Sequence, residues 1–146
     1  MSSFQYQLLN ETLSSDEQLL SVNGNAATTS RIVEFVVPEV SLQQLAFIFP
    51  LLGHLSFNED PRWLTCIGSL LLSKKDCRQF GLNRHRLLQV LPSQRCNVID
   101  ITERALEAGR SHTVFCQAEV ISQQDLARLE SAAKRGDARC VIARRR

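Results

Sequence analysis

Catalysis requires a nucleophile beside a base, a paired acid and base, a metal cluster, or a loop that grips phosphate, and each leaves a recognisable spacing. The turn after the first expected strand reads Val36-Val37-Pro38-Glu39-Val40-Ser41 and holds neither glycine nor lysine. A phosphate loop needs glycines, so that backbone N–H groups can converge on the anion, and a lysine to reach the outer phosphates. Neither G-x-x-x-x-G-K-[ST] nor G-x-G-x-x-G occurs in the chain. His54, His85 and His112 lie far apart, none in a recognisable nucleophile motif, and there is no G-x-S-x-G elbow. Glu103 and Glu107 stand one helical turn apart, the spacing of a solvated helix face rather than of an acid/base pair. Cys66, Cys77, Cys96, Cys116 and Cys140 are scattered and odd in number, with no C-x-x-C and no Cys/His cluster at zinc spacing. They read as core thiols of a reduced, cytoplasmic protein. The expectation is a protein that is not an enzyme and uses no cofactor or metal.

What stands out instead is Pro61-Arg62-Trp63-Leu64-Thr65-Cys66-Ile67, which carries the only tryptophan with an arginine beside it at the mouth of a strand. Tryptophan and arginine are the types that most often dominate protein interfaces, through rigid contact area and a planar multi-donor head. The competing reading is that Trp63 fills the core while Arg62 snorkels to water. A second cluster, Asn83-Arg84-His85-Arg86, precedes the third strand and flanks the first cluster if both strand entries share one edge of a sheet. Alone, it reads as solvated surface.

These residues need elements to position them. Ile32-Val33-Glu34-Phe35-Val36-Val37 is a β-branched run ended by Pro38, which fits a buried strand. Ser41 is the expected N-cap of a helix with Leu42, Leu45, Ala46, Phe49 and Leu52 on one face and Phe47, Ile48 and Leu51 on the other. Such a helix is either sandwiched in the core or shared with a partner; Pro50 should kink or shorten it, and Gly53 offers an exit. Strands are expected over Arg62 to Ile67, Leu87 to Leu91, His112 to Val120 and Arg139 to Ala143. Helices are expected from Ser73 and Asp76 to Gly81, from Asp100 and Glu103 to Gly109, and from Ser122 and Asp125 to Gly136. Five strands interleaved with four helices predict an α/β fold with a mostly parallel sheet flanked by helices, because parallel neighbours need crossover helices.

The 146 residues, 44% hydrophobic and 22% charged, suit one domain with its own core. Residues 1–30 carry Glu11, Asp16 and Glu17 with no Lys or Arg, and their Ser, Asn, Gln and Thr content predicts a flexible segment outside the α/β domain of residues 31–146. Three of the surplus positive charges are Arg144, Arg145 and Arg146, read as a solvated end and not as a nucleic-acid site. No signal peptide is expected, and the longest apolar stretch, around Leu45 to Leu55, is too short to span a bilayer.

From Ile32 to Arg144 the chain resembles the SulA family of bacterial cell-division inhibitors, most closely its shorter, pseudomonad-type form. The resemblance rests on I-V-E-F-V-V, F-I-F-P-L-L-G-H-L, R-W-L-T-C-I, L-S followed at a distance by F-G-L, L-L-Q-V-L-P and the final I-S-Q-Q-D-L-A-R-L-E-S-A-A-K-R-G-D-A-R-C-V-I-A-R. It implies a fold like the RecA ATPase core without its phosphate loop, in a protein induced by the SOS response to DNA damage. It further implies binding to FtsZ, the tubulin-like GTPase of the division ring, with polymerisation, GTP hydrolysis and septation blocked together. A homodimer and degradation by the Lon protease are implied too. The family's functional positions fall on Arg62, Trp63, Ile67 and Arg86, where relatives carry arginine, tryptophan, a hydrophobic residue and lysine. Asp76 stands where relatives have tryptophan, which puts any contact there in doubt. The alternatives are a degenerate RecA-like nucleotide protein and a DNA-associated regulator using Arg84, Arg86 and the final arginines.

Overall fold

Five strands, β1 (Ile32–Val37), β2 (Trp63–Ile67), β3 (Leu87–Val90), β4 (Ser111–Ala118) and β5 (Arg139–Arg145), form one sheet in the order β1-β5-β4-β2-β3. Every neighbouring pair is parallel. The structure is a computed structural model and describes residues 30–37, 41–57, 59–68 and 72–145. Four α-helices cross between strands among these residues: α1 (Ser41–Ser56), α2 (Lys74–Gln79), α3 (Val98–Glu107) and α4 (Gln123–Gly136). The expected alternation of strand and helix is therefore the observed one. The expectations for residues 1–29 and for Pro38 to Val40 lie outside the described residues, as do the side chains of Ser41, Leu42, Leu45, Ala46 and Phe47.

Side chains alternate along each strand, so the sheet separates two apolar layers. Val141 and Ala143 of β5, Phe115 of β4 and Leu64 and Cys66 of β2 pack with Ile48, Phe49, Leu51 and Leu52 of α1 and Cys77 of α2. Cys140 and Ile142, Val114 and Cys116, and Ile67 pack with Ile99 and Leu106 of α3 and Leu129, Ala132 and Ala133 of α4. Leu52, Leu64, Leu106 and Leu129 are wholly buried. Each such side chain contributes about 1.5–3 kcal/mol relative to exposure.

The local start signals act as read. Ser73 and Asp76 exchange hydrogen bonds in a capping box at α2, and Ser122 and Asp125 do the same at α4. Other expectations are corrected. Helix α1 continues through Pro50 and Gly53 to Ser56, because Ile48, Phe49, Leu51 and Leu52 all enter one core layer and that burial outweighs local breaking tendencies. Helix α3 opens at Val98 with Asn97 as its cap, its side chain accepting from the Ile99 N–H at 2.9 Å. Residues Arg84–Arg86 form a 3₁₀ turn capped by Asn83. Strand β4 ends at Ala118, leaving Val120 outside it. Arg144 and Arg145 are not a loose tail; they lie in β5, paired with Val36 and Val37 of β1.

All strands run the same way and each helix returns antiparallel, so the helix C-termini gather at the amino ends of the strands. Those helix ends present carbonyls without intrahelical partners and a partial negative charge.

Candidate protein-interaction face at the amino end of the sheet

Arg62 sits just before β2, where those carbonyls converge. Its guanidinium Nη1 donates to the Gly136 carbonyl at 3.0 Å and the Gly109 carbonyl at 3.3 Å, and Nη2 donates to the Asp137 carbonyl at 2.7 Å. The remaining donors go to Asp60, from Nη2 to Oδ2 at 2.8 Å and from Nε to both carboxylate oxygens at 3.1 Å. Every N–H of the fork is thereby engaged within the chain. Asp60 also accepts from the Arg62 backbone N–H at 3.0 Å, a local turn two residues wide. These bonds hold the Asp60 carboxyl at about 2, below the usual carboxylate range, and raise the Arg62 guanidinium further.

The carbonyls belong to the ends of α3 and α4. Gly109, at φ +71, turns the chain out of α3. Gly136 is the stop of α4 that the sequence suggests, but the left-handed cap is Asp137, at φ 48. Gly136 serves helix packing instead. A Cβ there would come within 1.7 Å of the Leu106 carbonyl oxygen, so α3 and α4 approach closely only because it has none. Between the same helices, Arg128 pairs with Asp100 at 2.9 Å and with Glu103, and Arg135 pairs with Glu107 at 2.8 Å. The face of Glu103 and Glu107 is thus bridged to α4.

Trp63 opens β2 and is 42% exposed, so it neither fills the core nor lies flat in solvent. Its N–H donates to the Arg110 carbonyl at 3.0 Å. The pairing with β4 shifts at this point: Trp63 stands opposite Ser111 and Leu64 opposite Thr113, leaving His112 as an extra residue. A bulge of this kind re-aims the side chains beside it. His112 is buried, with Nδ1 2.9 Å from the Thr113 hydroxyl, and burial lowers its pKa below the ordinary histidine value although Asp60 opposes the shift.

Arg86 reaches the same place from the 3₁₀ turn before β3. Its Nη1 donates to the Pro61 carbonyl, and β3 pairs directly with β2. The Asn83 N–H donates to the Ser56 hydroxyl at 3.2 Å, which ties the end of α1, and with it the exposed Phe57, to the turn before β3. Arg62, Trp63 and Arg86 are therefore brought together. Ile67 is not: at 1% exposure it packs under α3 and α4. Asp76 is committed to the α2 capping box.

A family model described as "Cell division inhibitor SulA" matches residues 31–140. The chain belongs to the SulA family. A Pseudomonas aeruginosa protein described as "Cell division inhibitor SulA" is 35% identical over 98 residues, covering 66% of this chain and 61% of that relative. The match thus spans less than two thirds of the relative's length. The crystal structure of SulA from Pseudomonas aeruginosa superposes with a TM-score of 0.73 at 30% identity, covering 81% of this chain and all of that one. The SulA fold of this chain therefore holds Arg62, Trp63 and Arg86 at the amino end of its sheet. Among the described residues no group of His, Cys, Asp or Glu is arranged to hold a metal, and no helix is long and apolar enough to cross a membrane.

Sequence reasoning missed the pairing of Asp60 with Arg62, the packing role of Gly136 and the three carbonyl acceptors. Asp60 did leave a signal, since Asp-Pro two residues before an arginine marks a turn whose side chain can accept from the backbone. The carbonyls leave none.

Proposed function

We propose that this protein is an SOS-induced inhibitor of cell division that acts in the cytoplasm by binding FtsZ and blocking its polymerisation and GTPase activity, so that septation stops. Membership of the SulA family supports the division role. The observation that carries the binding mode is the exposed Trp63, held at a strand entry beside Arg86. A half-exposed tryptophan on a rigid base brings large contact area at little entropic cost, and the adjacent Arg86 favours an acidic counterpart. In tubulin-like filaments one subunit completes the GTPase site of the next, so a protein covering that longitudinal face halts assembly and hydrolysis together without chemistry of its own.

The same reading takes Trp63 and Arg86 as contact residues, with Arg62 supporting the face from within and Ile67 a core residue at the far end of β2. A homodimer and turnover by Lon belong to it as well; the outer edges of β1 and β3 are surfaces on which two copies can meet. Adding the purified full chain to polymerising FtsZ tests the proposal: light scattering and GTP turnover should fall in proportion to the moles added. Undiminished assembly at excess protein would reject it.

A further inference from the structure

Arg62 offers a partner little, because its donors are already spent inside the chain. Resting on the reading that the amino-end face meets FtsZ, we propose that Asp60 and Arg62 form a clamp that positions Trp63, and that neither is itself a contact. Three observations carry this assignment. The guanidinium joins three segments at once, since its acceptors are the Asp60 carboxylate, the Gly109 carbonyl after α3 and the Gly136 and Asp137 carbonyls ending α4.

The second observation is that Trp63 hangs from the segment that Arg62 grips. The Trp63 N–H donates to the Arg110 carbonyl, one residue after the Gly109 carbonyl that Arg62 holds. Side chain and backbone of consecutive residues thus pin the same stretch of chain. The third is the register shift at His112, which leaves Trp63 paired with Ser111 at the last point before β2 and β4 fall into regular alignment. A slip of one residue at a strand end turns a side chain to the opposite face of the sheet, so the entry to β2 needs an external fix. The clamp supplies it, and Asp60 orients the fork by accepting from Nε, Nη2 and the Arg62 backbone N–H. A partner carboxylate would have to dismantle this set before it could claim Arg62.

The chain has one tryptophan, so emission of the full-length protein excited on the red edge of the indole band, where Tyr6 does not absorb, reports on Trp63 alone. Asp60→Asn keeps the shape of the carboxylate and removes its charge; Arg62→Lys keeps the charge and removes the planar fork. Both should give red-shifted Trp63 emission and stronger acrylamide quenching well below the melting temperature, with FtsZ affinity reduced roughly tenfold, the size expected when an interface anchor is displaced and not deleted. Should Arg62→Lys fail to fold, Asp60→Asn carries the test by itself. Unchanged emission and quenching alongside weakened FtsZ binding would overturn the clamp and make Arg62 a direct contact. Full restoration of both readouts by lysine would overturn it too, since one ammonium cannot span three carbonyls and a carboxylate. Altered emission with undiminished FtsZ binding would uphold the clamp and remove instead the reading that this face meets FtsZ.

Discussion

The amino and carboxyl ends of this sheet differ in how their backbone groups are used. At the amino end the helix C-termini converge and three arginines are held: Arg62 on the carbonyls that end α3 and α4, Arg86 on the Pro61 carbonyl before β2, and Arg31 on the Asp137 carboxylate at 2.9 Å. At the carboxyl end, where open α/β sheets ordinarily hold their ligands, β2 runs into Gly68, and a Cβ there would meet the Gln117 side-chain oxygen at 2.7 Å. Val36 near the end of β1, Leu91 after β3 and Val120 after β4 are exposed apolar residues at that end. On the proposed reading, an α/β sheet keeps its architecture while its working surface lies at the opposite end from a nucleotide site. At the amino end the helix dipoles favour cations, which suits the arginines gathered there.

The contrast between the ends breaks first at Gly136. Gly136→Ala forces a methyl into the Leu106 carbonyl and must part α3 from α4, so it should cost about 4 kcal/mol or more and show as a large drop in melting temperature. Trp63→Ala should weaken FtsZ binding by about 2–4 kcal/mol and lower the melting temperature less than Gly136→Ala does, because the side chain is partly outside the fold. Calorimetric titration beside a melting curve separates the two effects. Leu91→Ser and Val120→Ser, at the other end, should stay within about 0.5 kcal/mol in both measurements. Equal losses of binding at the two ends would erase the distinction between them.

The smallest effect is in pH. His112 has its pKa lowered in the fold from an ordinary 6.5, so as pH falls below that value the unfolded chain takes up a proton that the buried ring resists. Stability should therefore decline from about pH 6.5 downward, and His112→Gln should flatten that slope. The Asp60–Arg62 pair follows the same sign in a more acid window: with Asp60 moved from 3.8 to about 2, its contribution is present above pH 3.8 and is lost as pH falls toward 2. Melting temperatures from neutral pH down into the acid range for both chains check the order, with the histidine loss first.

Much of the fold is legible in the sequence because its signals are local. Ser73 with Asp76 and Ser122 with Asp125 spell out capping boxes within four residues, and the β-branched runs mark their strands. Helix α1 runs past Pro50 and Gly53, against the expectation from those two residues, because core burial outweighs their local tendencies. Arg144 and Arg145 look like a free tail in sequence because their pairing partners lie in β1, far earlier in the chain. At the site, Arg62 and Trp63 stand out by type, whereas the carbonyl acceptors of Arg62 are 47, 74 and 75 residues away and are backbone atoms, which no residue type announces. The burial of Ile67 follows from strand parity, with its neighbours on either side of the sheet deciding which layer it joins.

Hydrogen exchange of the full chain, with and without FtsZ, separates the two ends of the sheet in a single experiment. Docking at the amino end should slow exchange at residues 57–63 and 83–87, and leave residues 91–96 and 119–121 unchanged. Protection confined to the second pair of segments, or an exchange pattern indifferent to FtsZ, would contradict the assignment of the amino end as the working face.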